Sequence, residues 1–265
     1  CKNLEDRMKK VGATTIPEFI SKAYGRDDEA PSRAAWLNTF EYADKVVEDA
    51  RYHARKNSST PKKVGTHLVL FDCLNCDKCV PVCPNNANFA YEVAAEDRSY
   101  TDWIVSPAGK LTAAPDPSAF VVEKVHQLAC YTDFCNECGN CDIFCPEDGG
   151  PYVEKPLLFG SATSFAKWAD HDGYLLETDG DIRRFRGRMR GLEVALLVDG
   201  DAATFTDGIV EVPMNLDTGE LGTPRVVANP KAGHRVELER AFALRAIYLG
   251  VYADGATNWP ATLAG

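Results

Sequence analysis

The sequence predicts an α+β fold in three parts. These are a helical lead-in over residues 1–65, a cysteine-bearing domain over 66–151, and a small antiparallel β-rich C-terminal domain over 152–265 that ends in a helix. Three observations support this division. Apolar residues recur with a helical period near the N terminus, two runs of four cysteines each follow a strand-like segment, and apolar and polar residues alternate after residue 151.

The lead-in is predicted to contain short helices followed by a longer one. Leu4, Met8 and Val11 share one helical face, and Thr15 is a candidate N-cap for a second helix. The longer helix is expected to begin after Ser32, and the polar, proline-containing stretch 56–65 reads as a linker. The whole segment is interpreted as a helical scaffold without chemistry.

The middle domain repeats the order strand, four cysteines, proline. Strands are predicted over 67–72 and 119–128, each leading into a cysteine run, with a returning strand over 88–93. Residues 94–118 are rich in Pro, Ala and Asp and are predicted to form a loop insertion.

The C-terminal domain is predicted from alternation and turn residues. An amphipathic helix is expected over 235–252, after four antiparallel strands. The arginines of the second strand alternate, which is typical of a solvated strand face, with a docking patch for an acidic partner as the alternative. The predicted strands cover 173–178, 182–190, 192–198 and 204–212.

Two cysteine runs carry the chemistry, and both read C-x₂-C-x₂-C-x₃-C-P. Three cysteines within seven residues suit the corners of one cubane, and the fourth lies far enough along to ligate the other cluster. The spacing therefore predicts two [4Fe–4S] clusters with crossed ligands. Cluster 1 is assigned Cys73, Cys76, Cys79 and Cys145. Cluster 2 is assigned Cys135, Cys138, Cys141 and Cys83.

Two other uses of these cysteines fit the spacing less well. Disulfide frameworks occur in short secreted chains, and four cysteines within eleven residues make a poor set of separate bridges. Zinc sites also use C-x₂-C pairs, but they separate two pairs by a dozen or more residues. Cys130 lies five residues before the second run and is interpreted as a buried spare thiol.

Composition narrows the classes of partner. The formal net charge of −10 argues against nucleic acid, and no apolar run reaches the ~20 residues of a membrane span. No signal-peptide pattern follows Cys1, and the cysteine usage fits a reducing compartment, so a cytoplasmic protein is expected. No nucleotide-binding motif appears and the five histidines are scattered, so no catalytic residue is assigned.

The cysteine region, roughly residues 66–150, resembles the bacterial two-cluster ferredoxins, which implies a ferredoxin-like domain. Residues 79–88 and 131–152 also resemble the C-terminal end of the so-called selenate reductase family. Those are large iron–sulfur flavoproteins related to the small subunit of glutamate synthase. The resemblance implies that FMN or FAD is carried by a partner or an upstream domain.

The N-terminal residues resemble a different family of flavoproteins. Residues 4–8 and 15–20 resemble the closing helix of a dihydroorotate- or dihydropyrimidine-dehydrogenase FMN barrel, which a two-cluster domain can follow directly. Both resemblances imply one-electron relay inside a flavin-dependent oxidoreductase, with a flavin-containing domain and a redox partner. A stand-alone ferredoxin-like carrier subunit and a structural iron–sulfur docking domain remain the alternatives.

Overall fold

A computed structural model of the chain describes residues 2–24, 43, 47–50, 53, 55, 63–229, 231–252 and 255–263. Contacts divide the chain into two compact units, one of residues 1–60 with 84–86 and one of residues 61–83 with 87–265. The predicted helix after Ser32 and the predicted linker fall largely outside the described residues. The predicted domain borders at 65/66 and 151/152 stay predictions.

The first unit begins with two short helices, α1 (Lys2–Lys10) and α2 (Ile16–Tyr24). The backbone N–H of Glu18 donates to Thr15 Oγ1 at 3.3 Å, and the Thr14 N–H donates to the Glu18 carboxylate at 2.8 Å. The first bond satisfies an N–H group that an α-helix leaves unpaired at its start. The prediction that Thr15 caps this helix is confirmed.

The second unit holds the strands. Its described helices are α3 (Asn140–Phe144), α4 (Pro151–Glu154), α5 (Ala162–Lys167), α6 (Leu238–Tyr252) and α7 (Trp259–Leu263). The strands of its large sheet are β1 (Asn88–Glu92), β6 (His126–Tyr131), β7 (Leu157–Phe159), β8 (Gly173–Asp179), β9 (Ile182–Met189), β10 (Leu192–Asp199), β11 (Ala202–Thr206), β12 (Val210–Asn215) and β13 (Arg225–Val226). The remaining strands are β2 (Glu96–Tyr100), β3 (Trp103–Val105), β4 (Leu111–Ala113), β5 (Ser118–Val122) and β14 (Arg235–Val236).

The large sheet is mixed, with the spatial order β1-β6-β7-β8-β9-β10-β11-β12-β13. β1 pairs antiparallel with β6, β6 to β8 run parallel, and β8 to β13 form an antiparallel meander. A three-stranded sheet (β14-β3-β4) and a two-stranded sheet (β2-β5) accompany it. In the described part of the chain, no helix is long and apolar enough to cross a bilayer.

The predicted fold class is wrong. The α+β plan placed a ferredoxin-like two-cluster domain after a helical lead-in and a separate small antiparallel domain behind it. Instead, the parallel pairs Cys130–Leu157 and Leu158–Tyr174 join strands from both regions in one nine-stranded sheet. Alternation identifies strands but not their partners, and a parallel pair leaves no hairpin turn in the sequence to reveal it.

Several predicted loops and strands also differ from those in the structure. The segment 94–118 is not a loop, because it contributes β2, β3 and β4 to the small sheets. Residues 67–72 form only an isolated bridge from His67 to Asp148, and 119–128 divides between β5 and β6. The returning strand predicted over 88–93 is confirmed as β1.

Helix α6 forms the centre of the main core. The sequence predicted an amphipathic helix, but buried side chains occur on nearly every side, including those of Arg240 and Arg245. The Asp102 carboxylate accepts the backbone N–H of Leu238 at 2.9 Å, so a residue far away in sequence caps the helix. The Arg245 guanidinium donates to the Leu216 carbonyl at 2.6 Å, which satisfies a buried charge that a helical-wheel argument cannot anticipate.

The alternating arginines of β9 are not uniformly solvated. Arg188 is buried and donates to the carbonyls of Trp168 (2.9 Å), His171 (3.1 Å) and Phe165 (3.3 Å). Its guanidinium carbon also lies 4.1 Å from the centroid of the Phe165 ring. The side chain therefore fastens α5 and the turn after it to the sheet.

We expect Arg188→Ala to lower the free energy of unfolding by about 2–4 kcal/mol, because it leaves three carbonyls, including the buried one of Phe165, without this donor. Arg184→Ala is the matched control, since Arg184 lies on the same strand and the same face but is exposed. Its effect should stay within about 0.5 kcal/mol. Urea unfolding followed by circular dichroism measures both, and equal losses would contradict the assigned role.

Candidate metal centre

Strand pairing brings the two cysteine runs to one end of the large sheet. The first run ends shortly before β1 begins, and the second run starts just after β6 ends. Asn88 pairs with Cys130 in the antiparallel register, so the start of β1 lies beside the end of β6. The second run occupies the crossover between the parallel strands β6 and β7, a connection that needs a dozen or more residues.

The two runs share one local backbone conformation. Asn75 and Glu137, each two residues after the first cysteine of its run, both have positive φ (51° and 55°). Their N–H groups donate to the sulfurs of Cys73 at 3.3 Å and Cys135 at 3.4 Å. Positive φ is uncommon outside glycine, so its recurrence at matching positions indicates that the repeated spacing folds the same way twice.

The cysteines assigned to cluster 1 lie close together. Cys73, Cys79 and Cys145 belong to one buried group with Leu68 and Leu128, which also includes Cys141, a cysteine assigned to cluster 2. Cys76 is exposed and is not a member of this group. Burial raises the pKa of Cys79 to about 12. Nearby thiols contribute to that rise, in the order Cys141, Cys76, Cys73 and Cys145.

The cysteines assigned to cluster 2 line one small cavity. Cys83 from the first run faces the three leading cysteines of the second run across it. The Ala87 N–H donates to Cys83 Sγ at 3.2 Å. The cavity is lined by Cys83, Cys135, Cys138, Cys141, Asn88, Asn136, Glu137, Gly139 and Tyr152.

Cys130 is buried, and its thiol donates a hydrogen bond to Cys135. This bond is the main reason that the pKa of Cys135 is lowered to about 7, while the pKa of Cys130 is raised. A lowered pKa favours the thiolate, which is the form that binds metal. The spare thiol thus supports a neighbouring cysteine rather than only filling the core.

Residues without a motif tie the two runs together. Asn88 Nδ2 donates to the carbonyl of Cys79 at 3.1 Å, and Asn140 Nδ2 donates to that of Val82 at 3.4 Å. The buried Glu147 carboxylate accepts the Leu74 N–H at 3.2 Å. Sequence reasoning missed these positioning residues, because their contacts span the two runs and follow no fixed spacing.

Thiolates of the kind that these cysteines would supply bind both zinc and iron–sulfur clusters. Among the described residues, no three His, Cys, Asp or Glu side chains are close enough to hold one metal ion. A zinc ion needs its ligands within about 2.0–2.3 Å of a single point. A cubane binds each thiolate through a different iron, so its ligand sulfurs stand farther apart. Four cysteines line the cavity, and N–H groups donate to the sulfurs of two of them, Cys83 and Cys135.

The described cysteines are all free thiols, and this part of the chain contains no disulfide. Binding iron would therefore require the thiols to lose their protons, including that of the buried Cys79. The ligand roles of the eight cysteines stay a prediction.

Comparisons with known proteins give a partial match. The chain is 30% identical over 126 residues to a protein named "Putative oxidoreductase YgfK" from Escherichia coli O157:H7, covering 48% of this chain. It is 32% identical over 102 residues to the protein of the same name from E. coli K12, covering 38% of this chain. These matches span only 9% and 7% of the relatives' lengths. No family model matches the chain, and no solved structure matches it.

Proposed function

We propose that this chain is the electron-transferring part of an oxidoreductase and holds two [4Fe–4S] clusters with crossed ligands. The observation that carries the proposal is the cavity that Cys83 of the first run shares with Cys135, Cys138 and Cys141 of the second. The spacing predicts that the fourth cysteine of each run ligates the other cluster, and the shared lining of this cavity supports that pairing for Cys83. Partial similarity to proteins named as oxidoreductases supports the broader role.

The chain's own residues perform three tasks in this proposal. The cysteines supply thiolates, and backbone N–H groups hold their sulfurs in place, as Asn75 does for Cys73 and Ala87 for Cys83. Leu68 and Leu128 keep water from one face of the first site. When bound, the clusters accept and release one electron at a time. A flavin on a partner or upstream domain would supply electrons in pairs, which the clusters would pass on singly.

The test is anaerobic reconstitution of the chain with iron and sulfide. We expect about eight iron atoms and eight sulfides per chain, the content of two cubanes. Dithionite should then reduce both clusters and produce an EPR signal broadened by their mutual coupling. Iron at or below one atom per chain would overturn the proposal, and so would full loading with clusters that dithionite does not reduce.

A further inference from the structure

Residues 63–68, which lead into the first cysteine run, lie beside residues 146–148, which follow the second. The Asp148 N–H donates to the Thr66 carbonyl at 2.8 Å, and the Asp148 carbonyl accepts the Leu68 N–H at 2.7 Å. These backbone bonds join the approach to one run with the exit from the other, although the two segments lie far apart in the sequence.

The Glu147 side chain extends from this contact to the first run. It is 5% exposed, so both carboxylate oxygens need partners. One oxygen accepts the Leu74 N–H at 3.2 Å, and the other accepts the Thr66 hydroxyl at 3.3 Å. Leu74 directly follows Cys73, and Glu147 lies two residues after Cys145. One side chain therefore ties together the backbone segments that carry these two cysteines.

The backbone of Glu147 is held independently of its side chain. The Lys63 ammonium donates to the Glu147 carbonyl at 3.1 Å, and the Val64 N–H donates to the Pro146 carbonyl at 2.6 Å. Removing the carboxylate leaves these bonds in place. Its effect on the cysteines can therefore be separated from a loss of the fold.

The two cysteines that Glu147 ties together are both assigned to cluster 1, although they come from different runs. Cys73 and Cys145 belong to the same buried group. Residues that orient ligands without touching the metal are nearly as important to a metal site as the ligands themselves. Glu147 takes no part in the hydrogen bond to Cys83 at the other site, which the Ala87 N–H donates.

We propose that Glu147 is the positioning residue of cluster 1, whose carboxylate holds Cys145 of the second run within reach of the ligands of the first. This inference rests on the proposed function. Assembly of cluster 1 then depends on a side chain that is not a ligand, and assembly of cluster 2 does not depend on it.

The experiment is anaerobic reconstitution of the full chain and of Glu147→Ala, with iron counted and the reduced clusters examined by EPR. The wild type should bind about eight iron atoms and Glu147→Ala about four. Glu147→Gln should restore about eight, because its amide oxygen can accept the Leu74 N–H and its NH₂ group can donate to the Thr66 hydroxyl. The EPR signal that remains in Glu147→Ala should match that of Cys145→Ala, which lacks a predicted ligand of cluster 1.

Combined variants identify the cluster that is lost. Glu147→Ala with Cys83→Ala should bind almost no iron, because Cys83 is assigned to cluster 2. Glu147→Ala with Cys145→Ala should keep about four atoms, because both changes act on cluster 1. Circular dichroism of the cluster-free chain checks the fold. If Glu147→Ala does not fold, Glu147→Asp takes its place with the same expectations, because it keeps the charge but withdraws the carboxylate from Leu74.

Asp102→Ala is the matched control, because Asp102 is also 5% exposed and its carboxylate also accepts a backbone N–H, that of Leu238. Folded Asp102→Ala should bind about eight iron atoms. Full loading of Glu147→Ala or its loss of both clusters would overturn the inference. So would iron retained in its combination with Cys83→Ala, or an equal loss in Glu147→Gln or Asp102→Ala. Failure of the wild type to load two clusters would instead overturn the proposed function.

Discussion

Replacing Cys83 with alanine is expected to remove cluster 2 and to leave cluster 1, although Cys83 belongs to the first cysteine run. Cys83 lines the cavity of the second run, and the Ala87 N–H donates to its sulfur there. The iron content of the reconstituted chain should fall from about eight to about four atoms. The remaining cluster should give the narrower EPR signal of an isolated centre.

Double variants separate crossed from uncrossed ligation. Cys83→Ala combined with Cys138→Ala affects one cluster if the ligands cross, so about four iron atoms should remain. Cys83→Ala combined with Cys76→Ala then affects both clusters and should remove nearly all the iron. The reverse pair of results would show that each run holds its own cluster. Cys130→Ser serves as the control, because Cys130 is not a predicted ligand and a hydroxyl can still donate to Cys135, so both clusters should remain.

The local parts of the candidate site were predictable from the sequence. The repeated cysteine spacing identified the eight thiols, and the matching positive φ values at Asn75 and Glu137 arise from that repeat. The juxtaposition of the runs depends on the pairing of Asn88 with Cys130, and the short β1 strand was also predicted. Contacts between neighbours in sequence, or across one antiparallel pair, are those that spacing and alternation encode.

Contacts between segments far apart in the sequence could not be predicted in this way. The parallel strands β6, β7 and β8 are joined by crossovers, so no turn sequence marks them as neighbours, and the sequence did not predict that they share one sheet. Likewise, nothing near Lys155 in the sequence indicates that its ammonium reaches Val69 and Leu70. Its position follows from the fold of the crossover, which spacing alone does not determine.

Phe242 on helix α6 is expected to be among the most sensitive core positions. Its side chain is 1% exposed, and its ring centroid lies 5.4 Å from that of Tyr100 and 5.7 Å from that of Phe120. The Arg98 guanidinium carbon lies 5.2 Å from the same ring. Since Tyr100 and Phe120 belong to β2 and β5, this one side chain joins the two-stranded sheet to the central helix.

Phe242→Ala should therefore lower the free energy of unfolding by about 3–5 kcal/mol, through lost burial and the cavity that remains. Phe242→Leu should cost clearly less, because it refills most of that volume. Urea unfolding of the cluster-free chain, followed by circular dichroism, measures both. The ring contacts named here are with Tyr100, Phe120 and Arg98 and involve no cysteine. Folded Phe242→Ala should therefore still load two clusters. A loss below about 1 kcal/mol would contradict the packing of α6 against the two-stranded sheet. Truncating a buried phenylalanine lowers the free energy of unfolding by more than that even where the cavity partly refills.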